Sequence, residues 1–392
     1  MFTKTSTRRG LAARLTALFA LAWIAACGPI ALGGGGGTGP SLQAGAPVQV
    51  ALLVPAGSGN ASDGFLAQNL ENAARLAAAD LSGVAIDLRV YPTGGNPTQA
   101  ASAAAQAVNE GAQIILGPLY AENANAAGVA VAGSGVNVLA FSNNPTIAGG
   151  NVFILGPTFR SSAERLVGYG VRNGLSRYLI AHGDDLQGGL GQSEIASAVA
   201  RNGGTVTGTE VYALSQQAVV AAGPRIARAA QSTNSDAVFL TAGVNADLPI
   251  LATSLPEAGL DLNDVRLLGL TRWDAAPQAL ALPGLQGGLF AVPDQARQDA
   301  FEARYAATYG EAPHPLAGLA YDGVAAVGAL AQRGGGLGRG DLTTGQGFQG
   351  TNGIFRLLFD GTNERGLAVA TIRNNQVVIV EPAPQAFGGA GF

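Results

Sequence analysis

From Val48 to Leu270, short apolar runs alternate with longer amphipathic ones, and that alternation restricts the chain to an α/β architecture. Val48-Gln49-Val50-Ala51-Leu52-Leu53-Val54 is a strand-length run that stops at Pro55. Residues 65–80 follow with Leu66, Leu70, Ala73, Ala74 and Ala77 on one helical face, and Asp63 offers an N-cap. The same reading predicts strands at 85–91, 113–116, 136–141 and 152–155, with helices at 97–110 and 122–132. A second series predicts helices at 161–173, 189–202, 217–232 and 246–258, with strands at 177–182, 205–212, 236–241 and 266–270. Strands rich in Val, Ile and Leu, separated by helices, predict two doubly wound parallel sheets, each covered on both faces. Helices at 295–309 and 316–333 lead to a β-rich end at 354–359, 367–373 and 377–380, where Asp360-Gly361 suits a hairpin turn.

The chain begins with Lys4, Arg8, Arg9 and Arg14, followed by an apolar stretch over 15–26. A basic segment, a short apolar segment and small residues before a cleavage point make a secretory signal over 1–26. The stretch is shorter than the roughly 20 residues a membrane span needs. Ile24-Ala25-Ala26-Cys27 resembles the bacterial lipobox, which implies that Cys27 becomes the lipidated first residue. Gly28 in place of aspartate implies sorting to the outer membrane rather than retention at the inner one. Residues 27–46, with glycines at 33–37, then form a tether with a reach of about 25 Å. Residues 383–392 read as a flexible tail.

Composition removes several function classes. The formal net charge is −4, and the leader carries four of the basic residues and no acid, so the exported chain is more acidic still. Nucleic-acid binding, which draws its affinity from Lys and Arg against phosphate, is not expected. Lys4 is the single lysine, which excludes a P-loop, a Schiff base and a catalytic lysine from the exported chain. Cys27 is the single cysteine, so no disulfide and no second thiol remain. His182 and His314 are the only histidines and stand in no metal-ligand spacing, while Asp184-Asp185 alone offers too few oxygens for calcium. No catalytic residues, cofactor or metal are expected.

Several segments carry a resemblance when taken in order. They are Val50-Ala51-Leu52-Leu53-Val54-Pro55 leading to Gly57-Ser58-Gly59, Ile115-Leu116-Gly117-Pro118-Leu119, Val138-Leu139-Ala140-Phe141-Ser142, Tyr321-Asp322-Gly323 and Gly350-Thr351-Asn352-Gly353. Together they resemble the type I periplasmic-binding-protein superfamily in its leucine-binding branch. The sequence is also similar to lipoproteins of the penicillin-binding-protein activator type. The resemblance implies two lobes joined by three crossings, near 156–158, 291–293 and 340–348. One lobe would then comprise 47–157 and 294–345, the other 158–293 and 346–382. It implies a non-enzymatic receptor that binds a small polar ligand, an amino acid or short peptide, between the lobes for ABC-type uptake. The partner is then an ABC permease or, on the activator reading, a peptidoglycan synthase.

Ligands of open α/β sheets sit beyond the carboxyl ends of the strands. In the first lobe those loops hold Gly57 and Ser58, Tyr120 and Ala121, and Ser142, Asn143 and Asn144. In the second they hold Gln187, Gly243, Thr271, Arg272 and Trp273. The Gly-Ser-Gly turn at 57–59 either offers N–H groups to an anion or is simply a tight strand-to-helix turn. Arg272 and Trp273 either pair with and wall off a ligand or make an ion pair and packing at the rim. Against the leucine-binding pattern, Ala121 stands for a serine, Asn144 for a threonine, Gln187 for an aromatic and Thr271 for an acid. Those exchanges leave an amino acid's two charges poorly satisfied.

Overall fold

The computed structural model describes residue 1 and residues 39–40, 42–43 and 45–388. The predicted leader, Cys27, most of the tether and the last four residues lie outside the described residues.

Strands β1 (Val48–Val54), β2 (Ile86–Pro92), β3 (Ile114–Leu116), β4 (Asn137–Ala140) and β5 (Val152–Ile154) form an all-parallel five-stranded sheet in the order β2-β1-β3-β4-β5. Val50 pairs with Leu88 on one side and Ile114 on the other. Central β1 is buried at every position but Gln49, as a strand covered on both faces must be. Its period of two sends Val50, Leu52 and Val54 into one core, packed by Leu66, Leu70 and Ala73 of helix α1 (Ala61–Asp80). Ala51 and Leu53 enter the opposite core, packed by alanines of α2 (Pro97–Asn109) and α3 (Ala121–Val131). The cap of α1 differs from expectation. Asn60, not Asp63, occupies it, its side chain accepting from the Ser62 N–H at 3.0 Å, which leaves Asp63 in the first turn.

The second sheet starts with helices α4 (Phe159–Arg172) and α5 (Leu186–Arg201) interleaved with β6 (Arg177–Gly183) and β7 (Thr205–Tyr212). It continues through α6 (Gln216–Ser232), β8 (Ala237–Leu240), α7 (Leu248–Glu257), β9 (Arg266–Gly269) and β10 (Leu289–Val292). Its faces divide as in the first lobe: Tyr178 and Ile180 pack toward α4 and α5, Leu179 and Ala181 toward α6 and α7. The chain then returns to the first lobe as α8 (Gln295–Tyr309) and α9 (Gly318–Gln332), whose Tyr305, Val324 and Val327 join the core of α1. After the short α10 (Arg339–Leu342) comes a small antiparallel sheet of β11 (Phe348–Gly350), β12 (Gly353–Leu357) and β13 (Asn363–Arg365). Last, β14 (Ala368–Arg373) and β15 (Gln376–Glu381) add to the second sheet, giving the order β15-β14-β10-β9-β8-β6-β7. This edge is antiparallel, so the second sheet is mixed rather than wholly parallel. Asn374 and Asn375, at φ 52° and 63°, turn the hairpin in the left-handed region that asparagine tolerates.

The third crossing is not at 340–348. Phe348, Phe355 and Leu357 lie in the same core as Val50 and Val324, so β11–β13 pack with the first lobe. Leu367 and Val369 lie in the core of the second, and the chain therefore crosses at Gly366-Leu367. The resemblance implied a crossing near 340–348, but the apolar burial of the residues that follow sets the boundary. Asn363 Nδ2 donates to the carbonyls of Ile154 and Gly156, both at 2.8 Å, which ties the third crossing to the first.

Candidate functional site

In the first sheet β1 lies between β2 and β3, so the direction of winding reverses between β1 and β3. The loops leaving those two strands part there and open a crevice. Ser58 stands on one, Tyr120 on the other. The turn into the second loop needs glycine, because at Gly117 φ is +83° and a Cβ would lie 2.3 Å from the Leu53 carbonyl oxygen. Tyr120 donates to Asp63 Oδ1 at 2.5 Å, and Asp63 is itself buried. A Cβ on Gly95 would come within 3.3 Å of Ser58, 3.5 Å of Asp63 and 3.8 Å of Tyr120, so loops after β1, β2 and β3 converge at one spot. The hydrogen bond to Asp63, followed by burial, raises the Tyr120 hydroxyl above its ordinary range. Ser58 Oγ accepts from the Asn60 N–H at 3.1 Å and keeps its own hydrogen to give.

The second sheet reverses between β6 and β8. The loop after β6 ends at Asp185, whose side chain caps α5 by accepting from Gly188 N–H at 2.8 Å, and Gln187, exposed to solvent, stands in the first turn of that helix. The loop after β8 carries Gly243, whose N–H donates to Asp247 Oδ1 at 2.7 Å. Buried Asp247 also accepts from Tyr212 at 2.5 Å, so this acid is spoken for by its own lobe. Strand-end loops of both lobes meet in a cavity of about 50 Å³ beside the first crossing, where Asn143, Asn144 and Thr158 face Gln187 and Glu194. Amide, hydroxyl and carboxylate groups brought together by the two lobes suit a small polar molecule held by hydrogen bonds.

The family model for periplasmic binding proteins matches residues 47–375. The chain belongs to the periplasmic binding protein family. Among solved structures it is similar to a Rhodospirillum rubrum protein assigned as a branched-chain amino acid ABC transporter, with a TM-score of 0.70 at 17% identity over 86% of this chain and 100% of that one. A Desulfitobacterium hafniense ABC transporter substrate-binding protein in complex with Leu gives 0.59 at 18% identity, over 86% and 100%. A Rhodopseudomonas palustris solute-binding protein in complex with benzoate gives 0.53 at 18% identity, over 88% and 99%. At such identities the likeness is one of fold. No curated protein matches by sequence.

Within this periplasmic binding protein the other expected site residues fare unequally. Ser142 is buried and its Oγ accepts from the Asn144 N–H at 3.1 Å. Asn144 caps a short 3-10 helix, Oδ1 accepting from Thr146 N–H at 3.0 Å, so its amide is half committed. Ala121 opens α3 and brings no polar group. Thr271 donates to the Ala242 carbonyl at 2.8 Å, which stitches neighbouring loops. Arg272 pairs with Asp274 at 2.6 Å at the surface, where its charge is already answered. Trp273 is no cleft wall. It is 0% exposed, stacks on Phe290 at 5.4 Å, and fills the space left by Gly269 and Gly288. Gly269 at the end of β9 and Gly288 just before β10 make that room, and nothing in the local sequence around 273 announces it.

Sequence reasoning missed Asp63 and Gly95 as members of the crevice. Their pairing with Tyr120 and Ser58 spans separate loops and leaves no local pattern. His182 shares a 2.7 Å contact with the Gly183 carbonyl, and His314 Nδ1 accepts from Leu316 N–H at 3.1 Å, both structural roles. Among the described residues no three of His, Cys, Asp or Glu gather to hold a metal ion, and no helix is long and apolar enough to cross a membrane.

Proposed function

We propose that this periplasmic binding protein is a non-enzymatic solute receptor for ABC-type uptake, holding a small polar ligand, an amino acid or short peptide, between its lobes. The observation that carries the reading is the cavity in which Asn143 and Asn144 of one lobe face Gln187 of the other at the strand ends. Family membership supports it, as do neighbours described with leucine and with benzoate. The ligand groups would come from Gly57, Ser58, Tyr120, Asn143, Asn144, Gln187 and the Gly243 backbone. Asp63 of one lobe and Asp247 of the other are already bonded to tyrosines, whereas Glu194 borders the cavity itself and adds a carboxylate to its amide and hydroxyl groups. Residues 1–26 act as the export signal and Cys27 as the lipid anchor, with Gly28 directing the protein to the outer membrane. The activator reading draws no support from the comparisons.

A thermal-unfolding screen of the purified chain against amino acids, short peptides and aromatic carboxylates tests this. A ligand at 100 times its Kd stabilises a native-only binder by about 2.7 kcal/mol, an easily read shift. Silence across the panel overturns the receptor reading. Intact-mass measurement of membrane-extracted protein, compared with Cys27→Ala, tests the anchor through the mass of the acyl groups.

A further inference from the structure

A pocket of about 210 Å³ lies where α4 and the end of α5 meet strands β12 and β13, at the junction of the lobes. Six arginines border it (160, 165, 172, 201, 356 and 365), against the acids Glu164 and Glu364. Glu164 is occupied by Arg201 and by Asn202 Nδ2, the latter at 2.8 Å, and Glu364 Oε2 by Arg356 Nε at 2.6 Å. Three further acids outside the lining pair with these arginines: Asp360 with Arg160, Glu381 with Arg165 and Arg172, and Asp322 with Arg365. Six positive charges therefore meet five negative ones in a chain whose overall balance is acidic.

Donors exceed acceptors more clearly than charge does. Each guanidinium has five N–H groups, while a carboxylate offers about four acceptor sites. Arg160 Nε, Ser161 Oγ and Arg365 Nε are buried and have no hydrogen-bond partner. Ser161 is 4% exposed and Arg365 6%, and both border the pocket. Buried polar groups are ordinarily paired, and unpaired polar atoms on three residues that border one pocket leave room for an acceptor there.

We propose that this pocket is an oxyanion site, distinct from the cleft, for a small molecule bearing a phosphate or carboxylate group. Guanidinium forks match both groups in bidentate fashion. An apolar cavity of about 150 Å³ accommodates benzene, so a pocket of this size accepts a small phosphate ester or dicarboxylate. Only Arg160 also borders the cleft cavity.

The test is calorimetric titration of the purified full chain with inorganic phosphate and, separately, malonate, in low-salt buffer free of other oxyanions. Saturable one-to-one binding of either anion is expected, weakened at least tenfold by Ser161→Ala and by Arg356→Gln. Arg89→Gln, on the far edge of the first sheet, should leave it unchanged. Ser161→Ala deletes one oxygen, and so decides the matter should Arg356→Gln not fold. Binding of neither anion, or equal weakening by Arg89→Gln, overturns the proposal.

Discussion

Arg365 Nη1 lies 3.1 Å from Asp322 Oδ2, and the two side chains are 4% and 0% exposed. Asp322 Oδ1 also accepts from the Thr351 N–H at 2.7 Å, while Arg365 donates to the Leu155 carbonyl. One ion pair thus fastens α9, the turn between β11 and β12, and the last residue before each of two crossings. Burial pushes the Asp322 carboxyl above its usual range, and Arg365 opposes that shift.

Removing one partner strands the other charge in the interior. Asp322→Asn should lower unfolding free energy by about 3–5 kcal/mol, whereas Asp322→Leu with Arg365→Met should lose clearly less. Urea unfolding of the three proteins measures both. A loss below about 1 kcal/mol for the single change would show that the pair does not fasten the junction.

Tyr120→Phe removes the phenolic donor to the Asp63 carboxylate, a group almost wholly buried. A hydrogen bond to a charged group is worth about 1.5–3 kcal/mol, and stability should fall by that amount. Denaturant titration reads it, and an unchanged midpoint would mean that water replaces the phenol without cost.

Adjacent residues should answer oppositely. Trp273→Ala empties the space between Gly269, Gly288 and Phe290 and should cost about 3–5 kcal/mol. Arg272→Ala breaks an exposed ion pair and should cost about 1 kcal/mol or less. Comparable losses at both positions would contradict the burial assigned to Trp273.

Alkaline stability should fall through tyrosine. Burial raises the Tyr178 hydroxyl, and burial with a hydrogen bond to Asp247 raises that of Tyr212, both well above the ordinary value of about 10. The folded chain keeps these protons where the unfolded chain releases them. Stability is therefore fully present below about pH 10 and lost above it, by about 1.4 kcal/mol per pH unit for each tyrosine. With Lys4 the single lysine, lysine titration adds almost nothing. Urea midpoints at pH 9 and 11 measure the fall, and Tyr178→Phe or Tyr212→Phe should make it shallower.

The sequence by itself determined most of the elements and their order, but not strands β10, β11 and β13. Period-two and helical apolar patterns are local, so β1, α1 and the alternation that follows can be read from neighbours, together with the two-sheet architecture that alternation requires. It also named the loops of the crevice, since ligand loops follow strand ends. What the tertiary structure decided are relationships between residues distant in the chain. The family resemblance suggested a crossing near 340–348 that the burial of Phe348 and Phe355 moved to Gly366. Trp273 has the chemistry of a ligand wall, yet the space beside Gly269 and Gly288 takes it into the core. Asp63 looked like a cap and proved to be the anchor of Tyr120, 57 residues away. Burial and hydrogen-bond partners belong to the packed chain, and no local period encodes them.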